Sequence, residues 1–277
     1  MDNDSQIPFT KMQGAGNDFV VIDNREERFS KQQLIDQTPK LCDRKYGIGA
    51  DGLLVLLPAE YEEADYTMLY RNADGSDAGM CGNGARCLAL FAHRLGFPGQ
   101  HTFNVHDVCY QATIKAENKV QISFPVTTPV EEKTVDSQQV LVLHTGTEHI
   151  VLQVDEEQLE KEDFLCKTGE KLRYHPHFAP KGTNVNFISG KDETTVRLQT
   201  YERGVEDLTL ACGTGAIASA LAWHFWQEQA EEANSYSVLT KGGELTIDFS
   251  FNPRGNIYSN LQLQGPAQVV FEGSYPV

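Results

Sequence analysis

Met80-Cys81-Gly82-Asn83-Gly84-Ala85-Arg86-Cys87-Leu88-Ala89-Leu90-Phe91-Ala92-His93-Arg94-Leu95-Gly96 reads as one helix with both ends marked. Its start lies among glycines, its body is built from helix formers, and Gly96 followed by Pro98 stops it. A second stretch has the same form: Ala211-Cys212-Gly213-Thr214-Gly215 opens the apolar run Ala216 to Trp226. Two further pairs of landmarks keep the same order and spacing. Gly14 precedes an apolar run as Gly146 does, and Gly49 as Gly182 does, so the offsets 146 − 14, 182 − 49 and 212 − 81 are 132, 133 and 131. Three landmarks at nearly constant offset predict a duplicated domain, at a period far too long for a solenoid.

Outward from the cysteine turns the chain reads as Gly-rich turns feeding buried strands. Gly14-Ala15-Gly16-Asn17-Asp18 leads into Phe19-Val20-Val21-Ile22, and Gly47 to Gly52 leads into Leu53 to Leu57. Residues 30–45 carry helical periodicity between them. In the second half, His144 to His149 precedes Ile150-Val151-Leu152, and Lys181-Gly182-Thr183-Asn184 precedes Val185-Asn186-Phe187-Ile188. Phe124 to Val135, with Pro125, Pro129 and Glu131-Glu132-Lys133, has the composition of a domain linker.

Composition removes several classes of partner. The 277 residues hold 23 Lys+Arg and 39 Asp+Glu, a formal charge of −16, with no long basic run. Such a chain repels a phosphate backbone, so neither nucleic acid nor an anionic membrane is expected as a partner. No stretch approaches the roughly 18 apolar residues of a membrane span, and the start, Met-Asp-Asn-Asp-Ser, is acidic where a secretory signal is basic. A cytoplasmic protein is the expectation. Thiols stay reduced in that compartment, and Cys42, Cys81, Cys87, Cys109, Cys166 and Cys212 show neither CxxC nor metal-ligand spacing. His175 and His177 flank Pro176 without a third ligand in reach, so no metal is expected.

The two Cys-Gly-x-Gly turns carry the chemistry. A helix start offers amides without intrahelical acceptors and a positive dipole end, and a thiol placed there ionises more readily. Glycine lets an anion approach the backbone. Two such thiols on opposite faces of one carbon suit a two-base racemase, in which one removes an α-proton and the other delivers a proton from the far side. No cofactor signature competes, since neither a GxGxxG after a strand nor a P-loop occurs. Taken singly, either turn also reads as a small residue packed at a tight helix start.

Lys11 to Phe19, Asn72-Ala73-Asp74-Gly75-Ser76, Cys81 to Cys87, and Tyr201-Glu202-Arg203-Gly204 leading to Ala211 to Gly215 closely resemble diaminopimelate epimerase over nearly the whole chain. The resemblance implies a cofactor-independent (PLP-free) isomerase interconverting LL- and meso-2,6-diaminopimelate in lysine and peptidoglycan precursor biosynthesis. It implies an α+β fold of two pseudo-symmetric domains, each a curved mixed β-sheet wrapped around a central helix, with the active site in the cleft between them. The expected domains are residues 1–125, to which 265–277 returns, and residues 126–264. By resemblance Cys81 and Cys212 are the acid/base pair, and Gly82, Asn83, Gly213 and Thr214 bind substrate at the helix starts. Asn17, Asn72, Asn184, Glu202 and Arg203 match further substrate contacts. His149 matches a histidine that, with Glu202, would tune thiol protonation. The partner is then a small amino-acid substrate, and a homodimer is allowed because family members can form dimers.

Three positions depart from the family pattern. Thr147 stands where many members have an asparagine that contacts the distal end of the substrate, Gly52 where some carry a glutamine, and Leu208 at a spot that is often acidic. All three bear on distal recognition and none on the cysteines. A racemase of the same fold for another amino acid such as histidine therefore stays open, as does a non-catalytic protein that binds a zwitterionic metabolite.

Overall fold

The computed structural model describes residues 6–77, 79–228 and 233–276. The acidic start, residues 1–5, lies outside the described residues. The chain divides into two compact units: one runs to Ile122 and takes the chain back from Gly265, and the other spans Ser123–Gln264.

The first part of the chain forms β1 (Gln6–Gly14), β2 (Asn17–Asp23), α1 (Lys31–Cys42), β3 (Gly52–Leu57), β4 (Tyr66–Asn72), α2 (Gly82–Arg94), β5 (Gln100–Val105), β6 (Val108–Ala116) and β7 (Lys119–Phe124). There follow β8 (Thr128–Pro129), β9 (Glu131–Val135), β10 (Gln138–His144), β11 (Glu148–Gln153), α3 (Glu156–Leu159), α4 (Glu162–Arg173), β12 (Asn184–Gly190), β13 (Thr195–Glu202) and β14 (Asp207–Thr209). The chain closes with α5 (Gly213–Trp226), β15 (Ala233–Thr240), β16 (Gly243–Asn252), β17 (Ile257–Pro266) and β18 (Gln268–Pro276).

The two units share one pairing order. In the first, β1 pairs antiparallel with β2, β2 parallel with β3, β3 antiparallel with β4, β4 parallel with β5 and β5 antiparallel with β6. In the second, β10, β11, β12, β13, β15 and β16 repeat antiparallel, parallel, antiparallel, parallel, antiparallel. An outer strand adds antiparallel to each first strand, β18 to β1 and β9 to β10. The fold is therefore α+β and pseudo-symmetric, each unit a mixed sheet packed on a helix.

Each sheet carries a buried helix and an amphipathic one. In α2 the residues Gly82 to Ala92 are all buried, and in α5 Gly213 to His224 are. A helix buried on every side lies inside a core, and α5 is apolar nearly all round. The helix α2 stops as read: Leu95 caps it, and Gly96 takes φ +103°, which a residue with a Cβ resists. Against β3 and β4 lies α1, opened by a Ser30–Gln33 capping box, whose Leu34 and Leu41 join Val20, Ile22 and Val55 in one core. It ends at Cys42 rather than residue 45, because the Asp43 carboxylate accepts the Lys45 and Tyr46 N–H groups and turns the chain. In the second unit Leu165 and Leu172 of α4 join Ile150, Val185 and Phe187 in the matching core. Leu208 packs against that core, which explains an apolar side chain where an acid is common.

Phe124 to Val135 is not simply a linker. Glu131–Val135 is strand β9, paired with β10, with Val130 and Val135 buried and Glu131 and Glu132 exposed. Charged residues suit an edge strand because they discourage further pairing, and the same composition imitates a linker. Among the described residues no helix is long and apolar enough to cross a membrane.

Gly190, at the end of β12, lies under Trp223 of α5, and a Cβ there would meet the indole at 2.1 Å. The indole is held in place by its Nε1–H, which donates to the Asp192 carbonyl at 3.1 Å. Gly190→Ala is expected to lower stability by about 1–3 kcal/mol, as overpacking does. Urea denaturation measures this, and an unshifted midpoint would contradict the packing.

Candidate active site

Each cysteine of the two matched turns is the N-cap of its buried helix, with nearly the same geometry. Cys81 has φ −114° and ψ 114°, Cys212 φ −108° and ψ 114°. The Sγ of Cys81 accepts the Gly84 N–H at 3.4 Å, and that of Cys212 accepts the Gly215 N–H at 3.4 Å. A cap residue usually offers oxygen. Sulfur in that place is turned toward the amides and the positive end of the helix dipole, which favour its anionic form. Neither cysteine is in a disulfide. Cys81 is half-buried and Cys212 buried.

In the first unit a polar chain runs from the helix start. The Asn83 amide donates to Asn17 Oδ1, and Asn17 Nδ2 donates to Asp51 at 3.2 Å. Arg44 then bridges Asp51 and Asp18, and Lys11 pairs with Asp18 at 2.7 Å. Burial works against ionising Asp18, but hydrogen bonds from Arg44 and Lys11 outweigh it and hold the carboxyl at about 2. On the other side of Asn83, Oδ1 accepts from Arg86 Nη2 at 2.8 Å. Gly14 is glycine because a Cβ would meet the Asn83 carbonyl at 3.0 Å and Cys87 Sγ at 3.1 Å.

Asn72 sits at the end of β4, opposite Gly52. Its Oδ1 accepts from the Tyr70 hydroxyl at 3.1 Å and its Nδ2 donates to Ser76 at 3.0 Å. A Cβ on Gly52 would meet the Tyr70 ring at 2.6 Å. Tyr70 thus fills the space a longer residue 52 would need, and its hydroxyl reaches Asn72 from there.

In the second unit the helix start is backed by a buried relay. Asn186 Nδ2 donates to the Ile150 carbonyl at 2.9 Å and lies 3.1 Å from His149 Nδ1, while Asn186 Oδ1 accepts from Thr200. That amide orientation makes Nδ1 the acceptor, so His149 carries its proton on Nε2 and donates it to Thr214 Oγ1 at 3.0 Å. The Thr214 hydroxyl is left to donate toward Cys212 Sγ, 3.6 Å away. Burial, aided by the Arg203 charge, pushes the His149 imidazole down to about 3. His149 is therefore a neutral donor that reaches the thiol through Thr214, not a group that titrates near neutrality. Glu202, at the end of β13, has its carboxyl pushed up by burial. Thr145 Oγ1 donates to the Thr214 carbonyl at 2.8 Å.

Arg203 anchors a third cluster. Its Nη2 donates to Thr147 at 2.5 Å and its Nη1 to Glu148 at 2.9 Å, and Lys181 holds the other Glu148 oxygen at 2.9 Å. Asn184 is buried, taking the Arg203 N–H on Oδ1 at 2.9 Å and donating to the Glu148 carbonyl at 3.0 Å, so it clamps β11 to the end of β13. Burial opposes ionisation of Glu148, yet its bonds to Lys181 and Arg203 hold the carboxyl at about 2.

The structure thus joins Asn83, Asn17 and Asp51 in one network beside the Cys81 cap, Cys212, Thr214 and His149 in another, and Thr147, Asn184 and Arg203 in a third. Asn72 bonds within its own turn. Sequence reasoning missed Arg86, Glu148, Lys181, Thr145, Thr200 and Asn186; for Asn186 there was a signal, an amide inside the apolar run Val185 to Ile188. A cavity of about 440 Å³ opens beside Glu148 and Lys181, walled by Val142, Leu143 and Phe178. No cysteine lines it. Among the described residues no group of three or more His, Cys, Asp or Glu is placed to hold a metal ion.

A family model for diaminopimelate epimerase matches residues 9–124 and 141–260. The diaminopimelate epimerase of Flavobacterium psychrophilum is 40% identical over 263 residues, covering 95% of this chain and 97% of that protein. That of Aquifex aeolicus is 41% identical over 283 residues, covering 96% and 97%. Among solved structures, a PhzF-family phenazine biosynthesis protein of Bacillus anthracis superposes with TM-score 0.74 at 12% identity, over 98% of this chain and 99% of its own. A hydroxyproline epimerase of Agrobacterium vitis, with bound trans-4-hydroxy-L-proline, gives TM-score 0.71 at 14% identity, over 100% of this chain and 94% of its own. Those two likenesses concern the fold alone.

The Glu148 pairing has a pH signature. Its carboxyl lies at about 2 in the folded chain against an ordinary 4.5, so its contribution is complete above pH 4.5 and disappears as pH falls toward 2. With the site partly exposed, Glu148→Gln should cost about 1 kcal/mol at pH 7. The gap from the unsubstituted protein should narrow in urea titrations stepped from pH 4.5 downward; a gap that persists at the acid end would count against the pairing.

Proposed function

The chain belongs to the diaminopimelate epimerase family, and from that premise we propose that it interconverts LL- and meso-2,6-diaminopimelate with a cysteine thiol/thiolate pair and no cofactor. It acts in the cytoplasm, in the biosynthesis of lysine and peptidoglycan precursors. The observation that carries this reading is the pair of matched N-caps: Cys81 and Cys212 each accept a helix amide at 3.4 Å with nearly equal backbone angles.

One thiolate takes the α-proton and the opposite thiol returns a proton to the other face, which inverts the centre. As the proton leaves, charge builds on the substrate's α-carboxylate. The amides of Gly82 and Asn83 and of Gly213 and Thr214 stand at helix starts, where developing negative charge is stabilised before the reaction begins. His149 supports the second thiol through Thr214. Asn17, Asn72, Asn184 and Glu202 supply fixed polar contacts, and Arg203 with Thr147 receives the distal carboxylate.

One observation favours a second reading, a racemase of the same fold acting on another amino acid. Arg203, the proposed distal anchor, already pairs with Glu148 at 2.9 Å. Incubation in deuterium oxide with LL-diaminopimelate and, in parallel, with other amino acids separates the possibilities. Meso product with deuterium at the α-carbon supports the first reading, turnover of a different amino acid alone supports the second, and binding without exchange means that the protein is not an epimerase. Cys81→Ala and Cys212→Ala are each expected to cut turnover by about a thousandfold or more while the fold persists, because each thiol supplies an obligatory proton step. Either variant keeping a tenth of the rate would sink the two-base scheme.

A further inference from the structure

The ion clusters of the two units differ in their charge count. Lys11 and Arg44 balance Asp18 and Asp51 in the first, whereas in the second Lys181 and Arg203 share one carboxylate, that of Glu148. The second cluster therefore carries one positive charge in excess and can take one more carboxylate. Its members are not equally fixed.

Arg203 is held from several sides. Its backbone N–H donates to Asn184 Oδ1 at 2.9 Å, its Nη2 to Thr147, and its Nη1 to Glu148 Oε2 at 2.9 Å and to the Lys181 and Gly182 carbonyls at 3.4 Å. Thr147 also turns its hydroxyl to Glu148 Oε2 at 3.4 Å, so the threonine sets guanidinium and carboxylate side by side. Lys181 is the loose member. Its side chain is 74% exposed, against 27% for Arg203 and 30% for Glu148, and its Nζ reaches Glu148 Oε1 at 2.9 Å. An exposed lysine on a flexible stem gives up such a pair at little cost.

A fixed guanidinium beside a fixed carboxylate is the charge pattern that complements an α-amino-acid head, which carries a carboxylate and an ammonium on one carbon. Burial opposes ionisation of the Glu148 carboxyl, but Lys181 and Arg203 keep it at about 2, so it is an anion at neutral pH, where such a head is a zwitterion.

We propose that Glu148 is a specificity-determining residue that receives the distal ammonium of the substrate on Oε1, in place of Lys181, while Arg203 takes the carboxylate on the same carbon. This rests on the diaminopimelate reading of the site. The pairing of Arg203 with Glu148 is then half of the distal anchor and not an obstacle to it, because the pair is a receptor for a second amino-acid head that is organised before the substrate arrives. The Lys181 ammonium marks the place of the substrate's own. A cavity of about 440 Å³, lined by Glu148 and Lys181 together, leaves the displaced lysine room to move. The spare positive charge of the cluster goes to the incoming carboxylate. A dicarboxylic amino acid without the second ammonium leaves Lys181 where it is and forfeits the contact.

Exchange of the α-proton in deuterium oxide, followed by mass spectrometry over a series of concentrations, gives kcat and KM for LL-diaminopimelate and for L-2-aminopimelate, which keeps both carboxylates and the chain length but lacks the distal ammonium. The unsubstituted protein should prefer LL-diaminopimelate by about tenfold or more in kcat/KM, since a site that bonds a substrate N–H rejects the analogue without it. In Glu148→Gln that preference should shrink to about twofold, through a higher KM for diaminopimelate. Lys181→Met, which empties Oε1, should lower that KM. A residue that only props Arg203 affects both compounds alike, because both carry the distal carboxylate. Equal losses on the two compounds in Glu148→Gln therefore overturn the proposal, as does an unsubstituted protein without preference, or a KM raised about tenfold in Lys181→Met. Absence of exchange with both compounds would instead defeat the epimerase reading, and titration calorimetry of the two compounds would then decide, by the same ratio, whether Glu148 binds the second ammonium.

Discussion

A helix buried on every side must find acceptors for the amides of its first turn, because water cannot supply them inside a core. In both units the answer is a cysteine sulfur at the N-cap, and much of the local structure follows from it. Sulfur is a weak acceptor when protonated and a better one as thiolate. The helix therefore gains most from its cap when that cap is ionised, which is the state a proton-abstracting group needs. Structural demand and chemical reactivity fall on the same atom.

The duplicated topology sets this device in place twice, and the divergence between copies lies in the layer behind the sulfur. Asn83 corresponds to Thr214 and Arg86 to Ile217 at the same offset. Behind Cys81 lies a chain of amides that ends in the ion cluster around Arg44. Behind Cys212 lies a relay of neutral groups, Asn186, His149 and Thr214, oriented by the single carbonyl of Ile150. Backbone symmetry is compatible with chemical asymmetry because the strands need only apolar faces, whereas the polar positions between them are free to differ.

The charge of −16 says little about these sites. Within them, cations and carboxylates are paired: Lys11 and Arg44 balance Asp18 and Asp51 in one cluster, while Lys181 and Arg203 share the single carboxylate of Glu148 in the other. Local pairing governs what a zwitterion would meet, and the excess of acid remains on exposed surfaces, where ions screen it. Glu148 shows how far such pairing modifies a site, since it engages the guanidinium and, through its backbone carbonyl, the Asn184 amide as well.

Sequence alone determined the helices around Leu88 and Leu221, the Gly-rich turns, the repeat of about 131 residues and the two thiols, because each is written in neighbouring residues: a period, a cap, a stop signal, a spacing. It misjudged Glu131 to Val135, where an edge strand and a linker share one composition. It matched His149 to a group that tunes thiol protonation but not the route, since nothing local to the chain records that Asn186 and Thr214 would enclose it. Only the tertiary structure decided the proton's place on that imidazole, the pairing of Glu148 with Arg203, and the burial of Arg86 against Asn83 and the Gly82 and Pro266 carbonyls. These depend on groups 37, 55 and 180 residues apart, which meet only when strands and helices have packed. Burial, which sets ionisation, is a property of everything that surrounds a group and not of its neighbours in the chain.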